Sequence, residues 1–258
     1  MKIGVLQGRL SEPIDGQIQE FPIYYWREEL FDLITMGLDG IEWIITEKNY
    51  LNNPFFLHDL SSSNILSVCV DNIISKNIVD FDYLLNNLKP TLERMGIQKV
   101  KNIVIPLLED SSIIEPEIRN KFKQNIKKLI TDYPNINFCF EFECDVEAIS
   151  ELFELGDNVY VTYDTGNVTS FYGKEVNHEK NILYLNNKIL NVHIKDRTFD
   201  SVTVPYGSGD TDFNTIFKSL NKINYDGNFI LQLCREKSGN EYEYINKHFN
   251  LIKKNITF

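Results

Sequence analysis

Short apolar runs alternate with amphipathic segments along the chain. Eight runs have the length and composition of buried strands: IGVLQ (3–7), GIEWI (40–44), ILSVCV (65–70), NIVIPL (102–107), NFCFEF (137–142), VYVTY (159–163), ILNVHI (189–194) and NFILQL (228–233). Nearly continuous apolar strands of this kind are typical of parallel sheets that are covered on both faces. The pattern therefore predicts eight parallel strands.

Segments between these strands have the spacing of helices that bury one face. YYWREELFDLITMGL places Trp26, Leu30, Leu33 and Ile34 on one face and ends at Gly37. The other clear segments are FKQNIKKLI (122–130), DFNTIFKSL (212–220), which begins with an aspartate that can serve as N-cap, and YEYINKHFNLIKKNI (242–256). The order of elements is therefore an alternation of strand and helix.

This alternation predicts an α/β fold. Eight repeats in 258 residues fit a parallel, eight-stranded (β/α)8 TIM barrel better than an open sheet, and we expect one barrel domain over residues 1–258. A doubly wound sheet is the alternative, but no GxGxxG motif follows the first strand. The helical pattern is weaker after the second strand, and residues 166–188 have no clear pattern.

Charge and composition exclude some classes of partner. The net charge of −11 and the pI of about 4.9 argue against nucleic acid, since phosphate binding requires basic patches. They also provide no basic segment for an anionic membrane, and no apolar run reaches the roughly 18 residues that span a bilayer. The first residues, MKIGVLQGRL, lack the long apolar core of a signal peptide.

The four cysteines have no CxxC spacing, and three of them lie in or directly after apolar strands. This placement predicts reduced core residues in a cytoplasmic protein. Whether the protein forms a homodimer stays open.

A barrel carries its active site at the carboxyl ends of its strands. Polar residues at the predicted ends are Gln7, Arg9, Glu42, Asp71, Glu141, Glu143, Asp164, His193, Lys195 and Gln232. Any single one of them is explained as a helix cap, an ion-pair partner or a core histidine. Glu141, Asp164, His193 and Gln232, however, lie one each on four consecutive strands, and carboxylate, imidazole and amide groups that converge in this way predict a divalent-metal site.

Strand parity orders the residues of NVHIKDR (191–197). Because side chains alternate, His193 and Lys195 share one face, and Asp196 lies on the other, where it can orient the following loop. If His193 binds a metal, Lys195 lies over the mouth as a substrate contact or proton shuttle; the alternative is a solvated lysine. Arg9 and Arg197 are the cations best placed for an anionic substrate.

The segment PYGSGDTDF (205–213) has two interpretations. Backbone N–H groups before a helix can hold a phosphate. Glycines 207 and 209 are also what a tight turn before the Asp212 cap requires, and we favour the turn. Whether the substrate is phosphorylated therefore stays open.

The ordered motifs FEFE, YDTGN, NVHIKDR, VPYGSGDTDFNTIFKSL and NYDGNFILQL resemble the xylose-isomerase-like superfamily of sugar-phosphate isomerases and epimerases. The resemblance implies a (β/α)8 barrel with one divalent metal ion, most often Mn²⁺, with Mg²⁺, Co²⁺ or Zn²⁺ as alternatives. It places the ligands at Glu141, Asp164 and His193. The fourth ligand falls on Gln232, where the family usually has glutamate.

The resemblance implies a metal-dependent isomerase or epimerase that removes a proton beside the carbonyl of a sugar or sugar derivative and forms a metal-stabilised enediolate. Glu141 is the candidate base, and Lys195 is the second catalytic candidate. Arg9, Glu42 and Arg197 are candidate substrate contacts. Since glutamine is no base near neutral pH, we expect one dominant base, Glu141; Glu236, the next carboxylate of matching parity beyond Gln232, lies too far along an extended strand.

Three other functions are alternatives to an isomerase or epimerase. A lyase of the inosose-dehydratase type would use the same metal and base to expel a hydroxyl group. A non-catalytic sugar-binding protein is the non-enzyme alternative. An abasic-site endonuclease would need more metal ligands and a basic face, which four histidines and a net charge of −11 do not provide.

Overall fold

The chain forms a closed barrel of eight parallel strands, which confirms the predicted fold class. The computed structural model describes residues 1–74, 78–235 and 239–256. The strands are β1 (Lys2–Leu6), β2 (Gly40–Ile44), β3 (Ile65–Cys69), β4 (Asn102–Leu107), β5 (Asn137–Phe142), β6 (Val159–Asp164), β7 (Ile189–Ile194) and β8 (Asn228–Leu231). Each strand pairs with its neighbours in sequence, and β8 closes the barrel against β1.

Helices cover the outside of the barrel. They are α1 (Trp26–Met36), α2 (Pro54–Leu57), α3 (Phe81–Gln98), α4 (Pro116–Asp132), α5 (Val146–Ser150), α6 (Thr165–Tyr172), α7 (His178–Leu185), α8 (Phe213–Lys222) and α9 (Glu241–Ile256). The helices predicted from spacing correspond to α1, α4, α8 and α9. The unassigned segment 166–188 holds α6 and α7, two short helices whose length is too small for a clear periodic pattern.

The ends of these helices follow their sequence signals. Gly37 ends α1 with a φ of 76°, and the Asp212 side chain accepts a hydrogen bond from the Thr215 amide at the start of α8. One detail of the α1 prediction is wrong. Trp26 and Leu33 are buried, but Ile34 is 74% exposed, because its position next to Leu33 rotates it away from the barrel.

Two apolar layers stabilise the fold. The large one lies between the strands and the helices, and the small one lies inside the barrel, below the site residues; its members are Leu6, Leu66, Cys69, Val104, Cys139 and Ile230. Each fully buried aliphatic side chain contributes roughly 1.5–3 kcal/mol relative to an exposed one. Cys69, Cys139 and Cys144 are buried free thiols, as predicted.

The chain after β7 forms a short antiparallel hairpin outside the barrel, in which Asp196 pairs with Val204 and Arg197 pairs with Thr203.

Throughout the described ranges, no helix combines the length and the apolar character needed to cross a bilayer. The assignment of residues 1–258 to one domain stays a prediction.

Candidate active site

Glu141, Asp164 and His193 converge at the carboxyl ends of β5, β6 and β7. One ligand atom from each lies within 4.8 Å of the others, and all three residues are buried. His193 Nδ1 lies 3.8 Å from Glu141 Oε1 and 3.8 Å from Asp164 Oδ2. The strand register produces this arrangement, because Asp164 and His193 are direct neighbours in the pairing of β6 with β7. The predicted cluster is therefore present as a geometric unit.

Glu42 on β2 holds the imidazole of His193 from below. Glu42 Oε1 lies 2.8 Å from His193 Nε2, and its Oε2 accepts hydrogen bonds from Ser67 Oγ at 2.6 Å and Asn191 Nδ2 at 3.0 Å. Nε2 thus faces the Glu42 carboxylate, and Nδ1 is the ring nitrogen that faces Glu141 and Asp164. The Glu42 side chain is fully buried and lies against His193, an arrangement that suits positioning of the imidazole; its role as a substrate contact stays a prediction.

The two carboxylate oxygens of Asp164 have different environments. Oδ1 caps α6 by accepting from the Asn167 amide at 2.8 Å, whereas Oδ2 is buried with no hydrogen-bond partner. A close approach holds the cap in place: a Cβ at Gly166 would lie 2.9 Å from Arg197 Cγ and 3.0 Å from Lys195 Cγ. The glycine of YDTGN therefore lets α6 begin directly against the end of β7.

Gln232 follows β8 and completes the circle of four strands. Its backbone N–H donates to Ile194 O at 3.0 Å, and its side-chain Nε2 donates to Gln19 Oε1 at 3.1 Å. Its Oε1 is buried without a partner, as are Asp164 Oδ2 and His193 Nδ1. Unpartnered buried polar atoms are costly, and here they belong to the residue types that bind divalent cations. The donor set fits a bound metal ion.

The charge balance of the cluster favours a cation. Burial by itself lowers the pKa of His193, but the negative charges of Glu42 and Glu141 outweigh it and raise that pKa well above its ordinary value. Burial raises the pKa of Glu141, and the neighbouring His193 opposes this while Asp164 adds to it. The site thus attracts positive charge. Glu236 lies outside the described residues.

Asn167 connects the cluster to the rim and was not singled out from sequence. Its Nδ2 donates to Glu141 Oε1 at 2.8 Å, and its Oδ1 accepts from Lys195 Nζ at 3.1 Å and from Arg197 Nη1 at 2.9 Å. The available signal was its place three residues after the capping Asp164, where the first helical turn brings its side chain back to the strand ends.

Lys195 and Arg197 lie at the rim, as strand parity and spacing suggested. Lys195 Nζ is 3.7 Å from Asp164 Oδ2. Arg197 Nη1 donates to Glu143 Oε1 at 3.0 Å, and Arg197 Nη2 donates to Ser201 O at 2.9 Å. Both cations thus already have anionic or carbonyl partners.

Arg9 has a different environment from the one its predicted role requires. Its side chain is buried and donates to Ile18 O and, at 3.3 Å, to Gln19 Oε1. Burial, assisted by the positive charge of Arg235, lowers the pKa of Arg9 to about 10. The structure therefore places the Arg9 guanidinium against the loop around residues 18 and 19, and its role as a substrate contact stays a prediction.

The loop of residues 205–213 is a turn closed by Asp196. The Asp196 carboxylate accepts from the backbone amides of Gly207 at 2.7 Å, Gly209 at 3.0 Å and Thr211 at 3.4 Å. These are the amides that a phosphate would need. The interpretation of this segment as a turn is confirmed. These hydrogen bonds show how Asp196 orients the loop, as predicted.

Comparison with known proteins identifies a family. The family model described as "Xylose isomerase-like TIM barrel" matches residues 79–254. The Escherichia coli K12 protein SgbU, whose name proposes an L-ribulose-5-phosphate 3-epimerase, is 34% identical over 84 residues, which cover 29% of this chain and 28% of SgbU. The match thus spans less than a third of that relative.

Solved structures have the same fold over their whole length. D-Allulose 3-epimerase from Methylomonas sp. has a TM-score of 0.74 and 14% identity, with 99% of this chain and 98% of that chain covered. An L-ribulose 3-epimerase has a TM-score of 0.76 and 14% identity, with coverage of 99% and 94%. The IOLI protein with a bound zinc atom has a TM-score of 0.73 and 16% identity, with coverage of 100% and 98%.

Proposed function

The chain belongs to the xylose isomerase-like TIM-barrel family, and from this premise we propose that it is a divalent-metal-dependent isomerase or epimerase of a sugar, acting in the cytoplasm. One observation carries the proposal: the buried residues Glu141, Asp164 and His193 present ligand atoms within 4.8 Å of one another. Two relatives of the same fold bear the names of sugar 3-epimerases, which is consistent with this chemistry.

Glu141, Asp164, His193 and Gln232 are the residues that would hold the metal. Three oxygen donors and one imidazole nitrogen suit a hard to borderline cation, and we propose Mn²⁺, with Mg²⁺, Co²⁺ and Zn²⁺ as the alternatives to test. When bound, the ion polarises the substrate carbonyl and offsets the negative charge that develops on its oxygen. Glu42 contributes by fixing the His193 ring through the 2.8 Å contact to Nε2.

Glu141 is the proposed base. Burial raises its pKa, which makes it a stronger proton acceptor than an exposed carboxylate. The Asn167 amide holds Glu141 Oε1 at 2.8 Å and so aims the carboxylate. Removal of the proton beside the carbonyl gives an enediolate, and its return to the same carbon from the other face, or to the neighbouring carbon, separates epimerisation from isomerisation.

Lys195 is the proposed second proton carrier. Its ammonium lies 3.7 Å from Asp164 Oδ2 and 3.1 Å from Asn167 Oδ1, on the open side of the cluster. Gln232 has no titratable proton, so a symmetric pair of glutamate bases does not operate at this end of β8. Arg197, which shares Asn167 with Lys195, is the proposed contact for a substrate oxygen.

Solvent-deuterium exchange tests the proposal. The protein, loaded with Mn²⁺ in D₂O, is incubated with a panel of free and phosphorylated ketoses, and the products are analysed by mass spectrometry and chromatography. We expect one deuterium per turnover in at least one sugar, and loss of exchange in Glu141→Gln. A dehydrated product would identify a lyase. Sugar binding without any exchange would identify a binding protein and overturn the proposal.

A further inference from the structure

A second polar cavity lies beside the metal cluster, at the ends of β1, β2 and β3. Its volume is about 480 Å³, within the range of roughly 300–1,000 Å³ that is usual for small-molecule pockets. The residues that line it are Gln19, Glu20, Thr46, Glu47, Lys48, Asp71, Asn72 and Ile74. None of them belongs to the proposed metal-binding or proton-transfer groups.

One side chain joins this cavity to the metal cluster. Gln19 accepts a hydrogen bond from Gln232 Nε2 at 3.1 Å and donates from its own Nε2 to Asp71 Oδ1 at 2.6 Å. The chain of contacts therefore runs from the fourth proposed metal ligand to a carboxylate of the cavity wall. A substrate that binds with its carbonyl at the metal can extend in this direction.

Asn72 shows that the cavity is built for a polar ligand. The residue is only 5% exposed, and both its side-chain atoms, Nδ2 and Oδ1, are buried without a hydrogen-bond partner. Burial of a side-chain amide with neither polar atom hydrogen-bonded is unfavourable unless a ligand binds to it. Because Asn72 lines the cavity, a small movement of its side chain would bring the unpartnered amide to a polar ligand bound there.

The charges of the wall select the kind of ligand. The wall holds the carboxylates of Glu20, Glu47 and Asp71 and one ammonium group, that of Lys48, which is paired with Asp15. An amide can donate to and accept from sugar hydroxyls, and a carboxylate can accept from them, whereas a phosphate would meet excess negative charge. The main-chain amides of residues 207–211 do not offer a phosphate site either, since Asp196 occupies them.

We propose that this cavity is a substrate subsite, in which Asp71 and Asn72 bind the hydroxyl groups at the far end of a non-phosphorylated sugar. This inference rests on the proposed function and adds the substrate class to it. Burial, together with the negative charges of Glu141 and Glu20, raises the pKa of Asp71 to about 7, against the effects of Gln19 and Arg9. The carboxyl group accepts from a hydroxyl when it is ionised and can also donate to one when it is protonated.

Binding is measured apart from turnover to test the subsite. In a Glu141→Gln background with Mn²⁺ present, calorimetry compares D-allulose with D-allulose 6-phosphate. We expect at least tenfold tighter binding of the free sugar. Adding Asp71→Asn or Asn72→Ala should weaken its binding at least tenfold, and adding Asn72→Lys should reduce the preference over the phosphate ester at least tenfold. Asp157→Asn, at an exposed position before β6 on the opposite end of the barrel, is the matched control.

Other outcomes would overturn the inference. Tighter binding of the phosphate ester, or unchanged binding in Asp71→Asn and Asn72→Ala, would exclude a hydroxyl subsite. In the wild-type background, a lower kcat with unchanged KM for Asp71→Asn would place Asp71 in proton transfer instead. Because Asn72→Ala leaves a void, Asn72→Asp of nearly equal volume is measured alongside it. Deuterium exchange with a phosphate ester only would refute the subsite and leave the proposed function intact; no exchange with any sugar would refute the function itself.

Discussion

The two halves of the barrel mouth use similar side chains in different ways. On the side of β5 to β8, carboxylates, an imidazole and an amide converge, with the three titratable ligand atoms within 4.8 Å of one another. On the side of β1 to β3, carboxylates and amides are spread around a cavity of about 480 Å³. Convergence concentrates negative charge and selects a cation, whereas dispersion leaves room for hydroxyl groups.

The hydrogen-bond partners of the carboxylates also differ between the two sides of the barrel mouth. Asp164 Oδ2 has no hydrogen-bond partner on the metal side, whereas Asp71 Oδ1 already accepts from Gln19 on the cavity side. A carboxylate oxygen that accepts no hydrogen bond suits a cation, whereas a carboxylate that accepts from one neutral donor suits a neutral ligand. The residue types alone therefore do not separate the two functions; the distances between them do.

The largest effect that we expect concerns the metal side. Glu141→Gln should reduce turnover by at least 10²-fold, since an amide of the same volume cannot accept the proton. Steady-state kinetics measure this, with Asp157→Asn as control and with circular dichroism to verify folding. If the folded variant retains near-normal turnover, Glu143, which has the same strand parity, becomes the next base to test.

A second comparison separates a ligand from the residue that positions it. His193→Ala should weaken Mn²⁺ binding by at least tenfold, because it removes a metal-binding atom. Glu42→Gln should weaken it by a smaller factor, about tenfold at most, because the ring loses its charged neighbour but keeps a polar oxygen beside Nε2. Calorimetry and elemental analysis measure both. Equal losses in the two variants would contradict this order, and no divalent binding by the wild-type protein would refute the site.

A gain of binding tests the fourth position. Gln232→Glu adds a negative charge at the fourth proposed metal ligand, and should tighten Mn²⁺ binding by several-fold without necessarily raising turnover. Gln19 must then reorient, since Gln232 Nε2, its present donor, is gone. An unchanged Mn²⁺ affinity would indicate that residue 232 does not reach the metal.

The smallest effect concerns stability on the cavity side. The folded pKa of Asp71 is raised from 3.8 to about 7, so between these pH values the folded chain holds a proton that the unfolded chain has lost. Stability contributed by this group therefore falls as the pH rises through that window. In metal-free protein, Asp71→Asn should gain about 1 kcal/mol relative to wild type between pH 5 and pH 8, or about 2 °C in Tm. Thermal unfolding at both pH values measures this; no pH dependence of the difference would contradict it.

The barrel itself follows from local pattern. All eight strands were predicted to within about two residues, because apolar runs and amphipathic spacing are properties of neighbouring residues. The metal cluster was predictable for a related reason. Glu141, Asp164 and His193 are polar residues in otherwise apolar strands, and a closed parallel barrel brings such positions together at one end.

The tertiary structure decided which polar residues contact one another. Glu42 and Asn191 are 149 residues apart, and Gln19 and Gln232 are 213 residues apart, yet each pair is hydrogen-bonded. Such contacts depend on the strand register and on the closure of β8 against β1, which no short stretch of sequence contains. For the same reason the contact of Glu42 with His193 and the buried, unpartnered amide of Asn72 could be found only in the folded chain, whereas the strand positions of the proposed metal ligands were determined by sequence alone.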